Sequence, residues 1–255
     1  MADGDYERGR SRELGAIAAE LKRLAAARAS SPPSVFVLNG WASSPHAWDL
    51  CKFPCTRLFS YVEQLDGEPE KALANVRRYV LVGWSMGGSA ALRLAARWPE
   101  KVAGLVLIAA TPRMMEEKET GWRGMSPHRL EALRYGLVMT RGAGFFGVPE
   151  GKPNPYLADE PANLERGLKY LLETDIRAEL AAIRQQLTAR IHIFQSEHDG
   201  IVRPENAAWL KTIFPQAYVT TVPGTEHALP IFIPESIDEA VDSCIRLASA
   251  GQDPA

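Results

Sequence analysis

The sequence is poor in cysteine: three among 255 residues, at Cys51, Cys55 and Cys244. An odd, sparse set does not build a disulfide framework, and reduced thiols are expected. Cys51 and Cys55 have no second pair at zinc-ligand spacing, so no metal site is expected. There is no apolar run near the ~18–20 residues of a membrane helix. The opening MADGDYERGR has no apolar core of a secretory signal, so a cytoplasmic protein that does not enter a membrane is expected. Charge of one sign is also missing: 29 basic against 31 acidic residues leave −2. That balance speaks against a nucleic-acid or polyanion binder. No phosphate-binding G-x-x-x-x-G-K-[ST] or dinucleotide-binding G-x-G-x-x-G stands between a strand and a helix, and no cofactor is expected.

What remains is a chain 46% apolar and 24% charged, long enough for one large core. Residues 13–29 carry Leu14, Ile17, Leu21 and Leu24 at helical spacing, and Pro32 and Pro33 end that stretch. The short apolar runs 35–38, 79–82, 102–109 and 189–194 read as strands buried on both faces, which suits a parallel sheet. A weaker strand is read at 57–62 and another at 217–222. Helices are read at 89–98, 204–213 and 235–249. Strand alternating with helix means an α/β fold. The rhythm stops over 113–185, where helices near 127–140 and 160–173 flank a Gly- and Pro-rich loop at 142–155. The expected organisation is an N-terminal polar arm and helix (1–33), an α/β core (34–112 and 186–255) and a helical cap insertion (113–185).

One motif carries chemistry. Gly83-Trp84-Ser85-Met86-Gly87 fits G-x-S-x-G with a buried strand before it and a helix after it, the setting that a nucleophile elbow needs. A serine hydroxyl is a weak nucleophile and needs a base, which in turn needs an orienting acid. Of five histidines, His192 lies inside a strand, His128 in the insertion, and His46 after the first strand as a conceivable pocket residue. His227 follows the last strand, at the same sheet edge as Ser85, and is the expected base. Asp199, in the loop after strand 189–194, is the expected acid, with Glu197 and Glu226 as runners-up. The oxyanion donors are expected to be the N–H groups of Met86 and Trp41, with the Trp41 side chain flooring an acyl pocket.

The order Ser85, Asp199, His227 resembles that of the α/β-hydrolase superfamily, over roughly 35–250. Within it, the chain resembles the pimeloyl-[acyl-carrier protein] methyl ester esterases of biotin synthesis. The likeness rests on Asn39-Gly40-Trp41, on Gly83 through Gly88, on the opening of the insertion from Thr111-Pro112 to Trp122, on Thr174-Asp175-Ile176-Arg177 and on Asp199 through Pro204. It implies an α/β-hydrolase fold with a mostly parallel sheet. It also implies a serine carboxylesterase acting on a small or medium acyl ester through an acyl-enzyme. It gives Trp41, Phe145 and Phe146 to acyl binding, and Arg123, Arg129, Arg134 and Arg141 to an acidic acyl-carrier protein. The stretch 113–141 has six basic and four acidic residues, an excess of only two, and a solvated helix face explains it as well. Two departures stand out. Asn39 replaces the usual histidine before the oxyanion glycine, and only 45 residues separate Gly40 from Ser85. Competing readings are an acyltransferase, thioesterase or C–C hydrolase with the same three residues, and a non-catalytic binding protein on this fold.

Overall fold

The computed structural model describes residues 32–140, 150–156 and 159–250. In chain order the first elements are β1 (Ser34–Leu38), β2 (Arg57–Phe59), α1 (Tyr61–Leu65), α2 (Glu68–Leu73), β3 (Tyr79–Trp84), α3 (Met86–Arg97) and β4 (Val102–Ile108). Then follow α4 (Pro127–Thr140), α5 (Pro161–Glu173), α6 (Arg177–Ile183), β5 (Arg190–Ser196), α7 (Pro204–Ile213), β6 (Tyr218–Val222), α8 (Leu229–Phe232) and α9 (Pro234–Ser249). The six strands form one sheet in the order β2-β1-β3-β4-β5-β6, and every pairing is parallel.

Strand alternation divides the core in two. Phe36, Leu38, Tyr79, Leu81, Leu105 and Leu107 point to one face, packing with α3, α6 and α7 through Leu92, Leu180 and Leu210. Val35, Val37, Val80, Val82, Val106 and Ile108 point to the other, packing on α9 through Ile237, Val241 and Cys244. The central strands β3 and β4 are buried along their whole length, which is why they read as unbroken apolar runs. Proline opens α4, α5, α7 and α9, where its missing N–H has no helical acceptor to lose.

The strand read at 57–62 is shorter. It ends at Phe59 because Ser60 caps α1: its hydroxyl accepts from Glu63 N, and the Glu63 carboxylate accepts from Ser60 N. Ser60-x-x-Glu63 is a capping box, legible as a helix start. No named strand occurs among the described residues between β4 and β5. A third apolar cluster sits above the sheet's carboxyl edge, where Met114, Met125, Leu130, Leu133, Leu164 and Leu171 meet Trp41 and Met86. The stretch 1–33, read as an arm and helix, lies almost wholly outside the described residues.

Candidate active site

Ser85 sits between β3 and α3 with φ 57° and ψ −121°, a conformation that non-glycine residues avoid. Neighbours hold it there. Ser85 N donates to Ile108 O at 2.9 Å, and Ser85 O accepts from Gly88 N at 2.9 Å and Ser89 N at 3.2 Å. Gly87 permits the close crossing of α3 over β1, since a Cβ there would overlap Leu38 O.

Three loops at this sheet edge meet. Ser85 Oγ lies 2.9 Å from His227 Nε2, and His227 Nδ1 lies 2.8 Å from Asp199 Oδ2. Asp199 is buried, and its other oxygen accepts from Ile201 N at 2.7 Å and Val202 N at 3.1 Å. The Gln195 amide donates to Asp199 Oδ2 at 3.3 Å and to Val202 O at 3.0 Å. These donors satisfy both oxygens of the buried carboxyl group. Trp84 Nε1 donates to His227 O at 2.9 Å, and the two rings lie 5.9 Å apart. Glu226 and Glu197, the runner-up acids, do not take the imidazole.

Met86 is the first residue of α3, where N–H groups lack helical acceptors. Among the described residues neither Met86 N nor Trp41 N donates to a protein acceptor. Gly40, just before Trp41, abuts Ser85: a Cβ on it would lie 3.3 Å from Ser85 Cβ. Asn39 takes a structural part. Its side chain accepts from Trp48 Nε1 at 3.1 Å and donates to Ser43 O at 3.1 Å, while its carbonyl accepts from Gln64 Nε2 at 2.9 Å. These bonds pin both ends of the Gly40–Trp41 turn.

Two chambers adjoin these residues. The inner one, about 30 Å³, is lined by Gly40, Trp41, Ser85, Met114 and Leu171 among others. The outer one, about 850 Å³, is lined mainly by apolar side chains such as Met125, Ile231 and Phe232, with Arg129, His198 and Glu226 among its polar groups. Leu133, Tyr156, Ile201 and His227 line both, so the two chambers are adjacent. Burial, then the nearby Asp199 charge, push the Tyr156 phenol well above its usual range, so it stays protonated.

The four arginines are not one group. Arg129 borders the outer chamber and makes no ion pair among the described residues. Arg134 is held by Glu131, with Glu165 at 3.8 Å. Arg123 lies 3.9 Å from Glu205, in a separate groove with Trp122 and Trp209. Arg141, Phe145 and Phe146 lie outside the described residues. His46 is exposed and bonded to Asp49 at 2.8 Å, away from both chambers, and His128 is exposed on α4. Reading the sequence did not find Gln195, Leu133, Tyr156 or Ile201. In the sequence Gln195 reads as the first residue of the polar loop after strand 189–194, whereas the structure places it inside β5.

An all-parallel sheet with a strained serine at a strand-to-helix turn defines a class, and comparison agrees. The model of the Alpha/beta hydrolase family matches residues 40–240, and the chain belongs to that family. More particularly, it is similar to the pimeloyl-[acyl-carrier protein] methyl ester esterase of Nitrosospira multiformis, 31% identical over 186 residues, 66% of this chain and 68% of that protein. It is also similar to the protein of the same name from Nitrosomonas europaea, 26% identical over 249 residues, 83% of this chain and 95% of that one. An esterase of Exiguobacterium antarcticum superposes with a TM-score of 0.64 at 16% identity, covering 85% of this chain and 92% of its own.

Proposed function

We propose that Ser85 is the nucleophile, His227 the base and Asp199 the orienting acid of a serine carboxylester hydrolase. The substrate we infer is a methyl ester of a medium-chain acyl group carried on an acidic acyl-carrier protein, as in the names of the relatives. The observation that carries the mechanism is the unbroken hydrogen-bond chain from Ser85 Oγ through the imidazole to Asp199.

Attack by Ser85 Oγ on the ester carbonyl sends the hydroxyl proton to His227 Nε2. Asp199 accepts a hydrogen bond from Nδ1–H, which fixes the tautomer and stabilises the imidazolium. The Met86 and Trp41 N–H groups take the oxyanion, because both are free to donate and both flank Ser85. The imidazolium then protonates the leaving alcohol, and the acyl group stays on Ser85. Water, deprotonated by His227, attacks the acyl-enzyme, and collapse releases the acid and regenerates the serine.

The chambers favour an ester with one small and one long substituent. An inner chamber of about 30 Å³, far smaller than the outer one of about 850 Å³, suits the smaller substituent. The longer substituent extends past the shared residues Leu133, Tyr156 and Ile201 towards the outer chamber, where Arg129 stands ready for an anionic carrier. In this arrangement 113–185 acts as the cap. No helix among the described residues is long and apolar enough to cross a membrane.

The test is hydrolysis of short- and medium-chain p-nitrophenyl esters, and of carrier-linked pimeloyl methyl ester, by the wild type and by Ser85→Ala. The expected result is turnover by the wild type alone, with a fluorophosphonate attached at Ser85. A wild type that is inert on esters but turns over thioesters would move the assignment to a thioesterase. Inertness on every acyl compound with an unlabelled Ser85 would leave only a binding protein.

A further inference from the structure

Gly167 stands in the interior of α5, three residues after Leu164 and on the same face of the helix. Glycine is the poorest helix former after proline, and its presence there needs a local cause. That cause is Trp41. A Cβ on Gly167 would overlap Trp41 Cδ1 and lie 2.5 Å from Nε1. The indole is also tied to the same helix, since Trp41 Nε1 donates to Leu164 O at 3.2 Å. Trp41 also lines the inner chamber, together with Ser85 and His227. The residue therefore meets both the helix backbone and the space above the serine.

We propose that Gly167 is a specificity-determining positioning residue: by leaving room for the indole, it sets how far Trp41 reaches into the inner chamber and so which group that chamber admits. The proposal rests on the reading of Ser85 as the nucleophile of an ester hydrolase. A side chain at 167 blocks the ring on the helix side, and the empty space that it borders is the chamber. The ring moves that way, and a chamber of about 30 Å³ has little volume to lose. The Trp41 N–H, on the same residue, is disturbed less than the ring, because Asn39 and Ser43 hold the turn independently.

The experiment compares wild type and Gly167→Ala on two homologous ester series, one lengthening the alcohol and the other the acid, with kcat and KM measured separately well below the melting temperature. In one series, the one whose varied group occupies the inner chamber, the fall of kcat/KM with length should steepen about tenfold by four carbons. A ring displaced by about 1 Å is enough for such losses. The other series should keep its wild-type slope. In a Trp41→Leu background the same substitution should have no further effect on either slope. Three outcomes overturn the proposal while leaving the ester-hydrolase reading intact: unchanged slopes, an equal loss across both series, or an undiminished effect without the indole. A wild type inert on both series overturns that reading and this proposal together.

Discussion

Gln195 and His227 share one oxygen atom: Asp199 Oδ2 accepts from the Gln195 amide at 3.3 Å and meets His227 Nδ1 at 2.8 Å. The amide comes from the end of β5 and the imidazole from the loop after β6, so two neighbouring strands converge on a single carboxylate. This gives graded consequences for two substitutions. Asp199→Asn should lower kcat by up to about 10⁴-fold, because an amide cannot hold the required tautomer. Gln195→Leu removes one of several donors and should cost about 1.4 kcal/mol, or roughly tenfold in kcat, with KM little changed. Steady-state kinetics on one ester would check both, and equal losses would contradict the graded roles.

At the elbow, Gly87→Ala drives a methyl group into the backbone of Leu38, the last residue of β1, and of Asn39 after it. Neither neighbour is a side chain that can swing aside. The variant should lose about 3 kcal/mol or more, read as a lower urea midpoint with an unchanged slope. A midpoint equal to that of the wild type would mean that α3 can slide along the sheet.

His192 offers a pH test. Burial, and then the charge of Arg190, lower it from 6.5 to about 4. Its ring stacks on Tyr218 at 5.4 Å, and its Nε2 is buried without an acceptor. The native state keeps this histidine neutral, while the unfolded chain takes up a proton as pH falls through about 6.5. Its contribution to stability is therefore complete above that pH and is lost as pH falls towards about 4. His192→Phe should flatten the fall of Tm between pH 7 and 4.5. An equally steep fall would shift the acid sensitivity to other groups.

Asp175 ties the start of the insertion to α6. It meets Arg177 at 2.7 Å and Arg113 at 2.6 Å, and Glu117 reaches Arg177 at 2.8 Å. Arg177 and then Arg113 hold the Asp175 carboxyl well below the usual carboxylate range against a smaller opposing effect of burial. Its contribution is thus present above the ordinary carboxylate pKa and lost only in strong acid. Asp175→Asn should cost about 1 kcal/mol, a fall in Tm of roughly 2–4 °C. Arg177 also lies over the Trp122 ring at 5.0 Å, and tryptophan emission should change with the loss.

What could be read in advance follows from how local the determining physics is. The elbow was legible because strand, turn and helix are adjacent in sequence, and small residues at fixed offsets are what that turn requires. Asp199 and His227 could be singled out as candidates because each follows a strand that had to end at the same sheet edge. The run 57–62 extends past the strand because Tyr61 and Val62 are also apolar, while the Ser60–Glu63 capping box starts a helix at Tyr61. Gln195 escaped because its importance depends on a register between β5 and the next loop that no local pattern encodes. Gly167 escaped for the same reason: its partner Trp41 lies far away in sequence. The basic residues of the insertion were visible as a count, but which were already paired depended on Glu131, Glu165 and Glu205, brought near by folding.

Trp84 precedes Ser85 in the chain and holds the carbonyl of His227. The last residue of β3 and the one directly after it thus hold both serine and imidazole, like the jaws of a caliper. The placement of the imidazole is thereby tied to the end of β3 and not only to the overlying helices. Selectivity and reactivity are then built from separable parts, so the helices above the sheet could be exchanged for others, and new substrates admitted, without resetting the chemistry beneath.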